Sequence, residues 1–201
     1  MTKDLRICFV GDSFVNGTGD ETKLGWTGRV CAALEASDSD LEVTFYNLGV
    51  RRDTSEDIRR RFNQEISARL QAGFDTLVVF SFGVNDTTIE NGVLRVDSER
   101  SIDNTRALLL EVAEQHPVLM VGPPPIADEE QNNRIQALDT EFAQLCSELN
   151  VPYLSVFDGL VCNPVWREEV TSNDGAHPHS AGYSILSERL LSWDVWEALV
   201  T

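Results

Sequence analysis

Apolar runs of strand length recur along this chain, each followed by Gly, Pro, Asn or Asp, with stretches of helical length between them. That alternation constrains the fold more than any other feature of the sequence. The runs are Leu5–Val10, Val43–Leu48, Thr76–Phe82, Val118–Gly122 and Pro152–Val156. The intervening stretches are Trp26–Ala36, Ser55–Gln71, Glu99–Gln115 and Asn132–Leu149, with Ser180–Leu191 closing the series. In Ser55–Gln71 the residues Ile58, Phe62, Ile66 and Leu70 fall at spacings of four, which lines them along one helix face. Near-continuous apolar strands alternating with amphipathic helices read as βαβ units, so the sheet is expected to be parallel and covered on both faces. The class is a doubly wound α/β sandwich, in which ligands bind outside the carboxyl ends of the strands.

The length of 201 residues suits one domain, and no Pro, Gly or Ser stretch, charge block or repeat divides it, so residues 1–201 are expected to form a single unit. The formal charge of −17 would repel phosphate backbones and anionic lipid surfaces, which argues against nucleic acid and membranes as partners. The opening MTKDLRICFV passes directly into a strand-like run without the pattern of a signal peptide, and no run is long enough to span a bilayer. Cys8, Cys31, Cys146 and Cys162 are scattered, without metal-ligand spacing. Reduced thiols in a cytoplasmic protein are the economical reading.

The residues just after the strands carry the chemistry. Gly11-Asp12-Ser13-Phe14 follows the first, Asn47-Leu48-Gly49-Val50 the second and Gly83-Val84-Asn85-Asp86 the third, while Asn173-Asp174-Gly175-Ala176-His177-Pro178 precedes the last helix. A serine hydroxyl is a weak nucleophile at neutral pH and needs a base that is itself oriented by a third group. His177 can be the base for Ser13, and Asp174, three residues earlier in a Gly-containing turn, can reach the ring Nδ1–H. The backbone N–H groups of Ser13 and Gly49 and the side-chain amide of Asn85 are suitable donors for an oxyanion. Asp12 and Asp86 are expected to order these loops rather than react. Each motif alone has a plainer reading as a turn, a cap or a surface histidine. Their joint occurrence in order, each at an element boundary, is what points to acyl transfer.

The set Gly11-Asp12-Ser13, Gly49, Gly83-Val84-Asn85-Asp86 and Asp174-Gly175-Ala176-His177-Pro178 resembles the four blocks of the SGNH subgroup of GDSL hydrolases. The resemblance implies a catalytic Ser13, Asp174 and His177, an oxyanion hole of Ser13, Gly49 and Asn85, and a flavodoxin-like α/β/α sandwich with five parallel strands. It implies ester or thioester hydrolysis of small acyl or aryl substrates through an acyl-enzyme, with no cofactor and no metal. Val121-Gly122-Pro123-Pro124 resembles the family's proline-containing turn. Two positions depart from the pattern: Phe14 stands where leucine is usual, and Arg52 stands where relatives usually carry glycine.

Arg52 is therefore a candidate substrate-binding residue for anionic esters, with Arg51 its nearest rival; the plainer reading pairs Arg52 with Asp53, Glu56 or Asp57 at the surface. A competing class is a non-catalytic small-ligand or nucleotide-binding module using Gly11, Gly17 and Gly19, although neither GxGxxG nor GxxxxGK[ST] is present. A third reading makes Trp193 and Trp196 a partner surface, against which their spacing favours packing onto the protein's own core. The sequence leaves the oligomeric state open.

Overall fold

A computed structural model describes residues 3–37 and 41–200. The chain runs β1 (Lys3–Gly11), α1 (Ser13–Asn16), α2 (Gly25–Ser37), β2 (Leu41–Gly49), α3 (Ser55–Ser67), β3 (Asp75–Ser81), β4 (Ile89–Glu90), β5 (Val93–Leu94) and α4 (Ser98–Ala113). It continues through β6 (Val118–Val121), α5 (Glu129–Leu149), β7 (Tyr153–Leu154), α6 (Phe157–Val161), α7 (Pro164–Ser172), α8 (Ser180–Leu191) and α9 (Asp194–Val200). Five strands form one sheet in the order β2-β1-β3-β6-β7, and every neighbouring pair is parallel. This is the flavodoxin-like order, with the chain reversing direction across the sheet between β1 and β3.

The period-two alternation of the strands divides the core into two. Leu5, Ile7, Phe9, Leu77, Val79, Leu119 and Val121 face α2 and α6 to α9, where they meet Trp26, Val30, Leu160, Trp166, Tyr183, Leu186 and Trp196. Cys8, Val10, Val78, Phe80, Val118 and Met120 face the other way, onto Ile58, Phe62 and Ile66 of α3, Leu108 and Val112 of α4, and Phe142 and Cys146 of α5. The result is a three-layer α/β/α sandwich. Burying each of these large side chains contributes roughly 1.5–3 kcal/mol, so the strands are held chiefly by what lies above and below them.

Helix starts follow local chemistry. Thr54 caps α3 in a reciprocal box with Asp57, and Asp97, Asp128 and Asn163 accept N-terminal backbone N–H groups of α4, α5 and α7. Helix α3 ends at Ser67 rather than Gln71, but the turn continues through Leu70 N–H to Ile66 O (2.8 Å), so Leu70 still reaches the core. Edge strand β7 takes only Tyr153–Leu154 of its apolar run, and the hydroxyls of Tyr153 and Ser155 donate to Asp139 (2.5 and 2.6 Å). The β4–β5 hairpin, joined by Asn91 (φ 53°) and Gly92 (φ 80°), was not expected, nor were α1, α6, α7 and α9. Trp196 is buried 6.5 Å from the Phe9 ring and Trp193 packs on the same cluster, so the C-terminal aromatics close the protein's own core. All four cysteines are free, and among the described residues no helix is long and apolar enough to cross a membrane and no His, Cys, Asp or Glu cluster could hold a metal.

The end of β2 approaches the residues after β1 closely. A Cβ on Gly49 would lie 2.2 Å from Asn16 N and 2.7 Å from Asp12 O, both backbone atoms that cannot yield. Gly49→Ala is therefore expected to lower unfolding free energy by about 1–3 kcal/mol, measured by urea denaturation. Gly28→Ala, inside α2 with its nearest contact an ordinary 3.4 Å from Leu24 Cβ, is expected to be neutral or stabilising. Equal behaviour of the two variants would contradict the close approach.

Candidate active site

Ser13 is the first residue of α1, delivered by the end of β1, and Asp12 caps that helix by accepting Phe14 N–H (2.9 Å). Its own N–H, at the first helical position, has no intrahelical partner. The Asn173–Pro178 segment arrives from the opposite end of the chain. Asp174 Oδ1 accepts the backbone N–H groups of Ala176 (3.0 Å) and His177 (2.8 Å), which folds the segment into a tight turn. The other carboxylate oxygen, Oδ2, lies 2.8 Å from His177 Nδ1, and His177 Nε2 lies 2.7 Å from Ser13 Oγ. Asn173 adds a further tie by donating to His177 O (3.0 Å).

Ser13 and His177 are buried, and the Phe14 ring lies 4.8 Å from the imidazole and 6.5 Å from the Trp166 ring, stacked with it. Burial pushes the His177 pKa below the usual imidazole value, the hydrogen bond and charge of Asp174 pull it back up, and the charge of Arg51 pushes it down again. Although burial opposes its charge, Asp174 is held down at about 2 by hydrogen bonds from His177 and Ala176 and by the imidazole charge. The geometry thus supplies an ionised orienter, a neutral imidazole with Nδ1–H toward it, and a lone pair on Nε2 aimed at a hydroxyl. Such a chain can take the serine proton as the oxygen attacks a carbonyl carbon.

Asn85 reaches the same region from the loop after β3, donating to Asp12 Oδ2 (3.3 Å) and Asp53 O (3.1 Å). Gly49 is beside the nucleophile turn, but its N–H donates to Asn47 Oδ1 (3.0 Å), so that N–H is already engaged. Asn47, whose role the sequence did not disclose, also donates to Val15 O (2.6 Å) and ties β2 to α1. Beyond Gly49, residues Val50–Asp53 form a turn closed by Asp53 N–H to Val50 O (3.3 Å), with Arg52 at φ 69°. The Arg52 backbone N–H has no acceptor among the described residues.

The side chain of Arg52 does not pair as expected. It is exposed and bonds Glu90 Oε1 on the hairpin (2.6 Å), while Asp53, Glu56 and Asp57 pair with Arg61, Arg100 and Arg60. Arg51, also exposed, has no hydrogen-bonding or ion-pair partner among the described residues, and its charge, opposed by that of Asp174, lowers the His177 pKa. Arg51 is thus the arginine of this turn whose side chain is unpaired among the described residues. Asp12 and Asp86 sit beneath the loops: Asp86 accepts Ser55 N–H (2.8 Å) and Ser101 O–H (2.5 Å), fixing the start of α3. Arg61, which bridges Asp53 (2.6 Å) and Gly11 O (2.8 Å), reads in the sequence as one more charge on α3 and gave no signal of this role. Gly17, a residue of the nucleotide-binding alternative, spends its N–H on Phe14 O (3.3 Å).

Residues 9–185 match the model of the GDSL-like lipase/acylhydrolase family. Similar solved structures include a lipase/acylhydrolase from Enterococcus faecalis (TM-score 0.78, 23% identity, 96% of each chain covered) and an acetylxylan esterase from Geobacillus stearothermophilus (TM-score 0.74, 19% identity, 92% of each). A G-D-S-L family lipolytic protein from Veillonella parvula is similar at TM-score 0.72 and 16% identity, over 94% of this chain and 96% of that one. No curated protein matches the chain. Since the family model spans most of the sequence and takes in the serine, asparagine and histidine loops, the chain belongs to the GDSL-like lipase/acylhydrolase family and is a serine hydrolase.

Proposed function

We propose that the protein hydrolyses carboxylic esters, or thioesters, of small acyl or aryl groups through an acyl-enzyme on Ser13, with residues 1–201 acting as one unit. The observation that carries this reading is the unbroken chain Asp174–His177–Ser13, with contacts of 2.8 and 2.7 Å. Ser13 Oγ attacks the carbonyl carbon as His177 Nε2 takes its proton; the protonated imidazole then gives that proton to the departing alcohol or thiol. Water, deprotonated by the same nitrogen, attacks the acyl carbon, and the acid leaves as Ser13 regains its hydrogen.

The negative oxygen formed in each step is held by the Ser13 N–H, the Asn85 amide and a donor from the loop after β2. Because the Gly49 N–H is held by Asn47, the unengaged N–H of Arg52 is the donor we assign from that loop. Of the two Asn85 bonds, the longer one to Asp12 is the one a developing oxyanion displaces. Removal of one donor of this kind costs about 10²–10³ in kcat.

Ser13→Ala is expected to fold normally, lose ester turnover and escape labelling by a fluorophosphonate that modifies the wild-type protein at Ser13. Turnover by the folded variant refutes the mechanism. His177→Ala is expected to be more damaging than Asp174→Asn, since the imidazole moves protons while the carboxylate orients it. Activity that survives in His177→Ala but is lost in His179→Ala places the base elsewhere. Since the imidazole must be neutral to act and its pKa is lowered, the acid limb of kcat/KM is expected below pH 6.5, the ordinary imidazole value.

Arg51 supports a finer reading, a preference for esters that carry a second, anionic group, because its guanidinium is free to bind a carboxylate or phosphate. Arg51→Gln is expected to raise KM several-fold more for a p-nitrophenyl hemisuccinate than for p-nitrophenyl acetate, and to move the acid limb to higher pH as the neighbouring positive charge is lost. Equal effects on both esters remove Arg51 from substrate selection.

A further inference from the structure

The turn after β2 places an arginine where the backbone favours glycine. Arg52 occupies the third position of the Val50–Asp53 turn with φ 69°, while Arg51 before it is not left-handed. This is the pattern of a type II turn, whose third position is ordinarily Gly or Asn. For a residue with a long side chain the left-handed conformation is disfavoured. The alternative open to the same four residues is a type I turn, which differs mainly by rotation of the central peptide. That rotation reverses the direction of one N–H, and the N–H is that of Arg52. The turn therefore has two states that differ in which way this donor points.

Three contacts hold Arg52 in place, and all come from the β4–β5 hairpin and the residue that follows it. Arg95 Nη2 donates to Arg52 O (2.8 Å), fixing the carbonyl on the far side of the strained residue. Glu90 Oε1 accepts from Arg52 Nη2 (2.6 Å), and the same oxygen lies 3.7 Å from Arg95 Nε. Arg52 is thus gripped at its carbonyl and its guanidinium by two side chains that pair with each other. The Arg95 side chain is largely buried, whereas Arg52 is mostly exposed, so Arg95 is the fixed member of the group. The hairpin is anchored close to the site, since Arg95 N–H donates to Thr88 O (2.9 Å) and Val96 N–H to Asp86 O (3.2 Å), just beyond Asn85.

We propose that Arg95, supported by Glu90, is a positioning residue that holds the Arg52 peptide in its left-handed turn and so keeps an oxyanion donor facing Ser13. The hairpin has little contact with the two cores, its strands being exposed, and this role accounts for its place against the turn after β2. The proposal rests on the hydrolytic reading above and adds to it a residue that touches neither substrate nor reacting atoms.

The test is a rescue. Arg95→Met is expected to lower kcat for p-nitrophenyl acetate at least about tenfold while KM changes by less than about threefold, because the lost interaction is made to the transition state. Adding Arg52→Gly to that variant is expected to restore most of the lost kcat, since glycine takes a positive φ without a clamp. Arg95→Lys, which retains a donor for Arg52 O, is expected to fall between wild type and Arg95→Met. If Arg95→Met does not fold, Arg95→Gln, too short to reach the carbonyl, serves in its place with the same expectations. An unchanged kcat on loss of Arg95, or a folded double variant no faster than the single one, overturns the proposal. Wild-type protein that neither turns over ester nor is labelled at Ser13 overturns the hydrolytic reading instead, so the two failures are distinct.

Discussion

The parallel pairing of β1 between β2 and β3 is the constraint from which the site follows. Its register sets Gly11 opposite both Gly49 and Ser81, so three strands end level with one another. Each residue that turns the chain away from that edge then lies within reach of the others: Asp12 and Ser13 after β1, Val50 to Thr54 after β2, and Gly83 to Asp86 after β3. A slip of one residue would also exchange the two faces of the sheet and move Phe9 and Val10 into each other's cores. The packing that buries Trp26 on one side and Phe62 on the other therefore also sets the alignment of the loops.

The loops are bound together by buried charge. Asp12, Asp53 and Asp86 lie below the site, and burial raises all three; Asp12, with Asp86 and Asp53 beside it, is pushed up to about 7 despite hydrogen bonds from Phe14 and Asn85. The folded state thus holds the Asp12 proton more tightly than the unfolded chain, and the stability this contributes is lost as pH rises from the ordinary carboxylate value of 3.8 toward about 7. Asp174 acts in the opposite sense, since its lowered pKa favours the folded state above the ordinary value and that contribution is lost as pH falls toward 2. Arg61 is the compensating charge, bonded at once to Asp53, Glu65 and the Gly11 carbonyl. In a chain with 33 acidic and 16 basic residues, basic side chains near the site are largely taken up by structure, and this makes the unpaired Arg51 notable.

Much of this arrangement can be read from residue order. Strand runs and helix periodicity depend on burial, which the sequence records directly, and Ser180–Leu191 forms the helix its pattern indicates. Ser13, Asp174 and His177 were legible because each sits at an element boundary and because the Asp–His spacing is local. The Asn91-Gly92 pair was also a visible hairpin signal, but strands of two residues leave no alternation around it to confirm the reading. The partners of Arg52 were not legible for the same reason: without the hairpin there is no Glu90 or Arg95 nearby, and the acids next in sequence look like better partners. Nor could the sequence show that the Gly49 N–H turns to Asn47, since Gly49 is needed there for space, whichever way its N–H points.

The two halves of the proposed nucleophilic machinery are built at different ranges, and this sets where the site is vulnerable. Asp174 and His177 are joined by two hydrogen-bonding contacts, one from the ring and one from the backbone, and the Ala176 N–H bond to Asp174 shapes their turn, all within four residues. That part forms wherever the segment is held. The bond from His177 to Ser13 spans 164 positions and depends on how the C-terminal segment docks. Docking rests on the Tyr183 hydroxyl donating to Thr18 O (2.7 Å), on His179 beside Gly19 O (3.1 Å), and on Trp166 stacked over Phe14. A small rotation of α8 would leave the Asp–His pair intact yet lengthen the His–Ser contact, and proton transfer requires that contact to be about 2.6–3.2 Å. The serine and histidine are therefore brought into register by the aromatic layer behind them, and the precision of the chemistry is inherited from the packing of Phe14, Trp166 and Tyr183 rather than from the motifs that announce it.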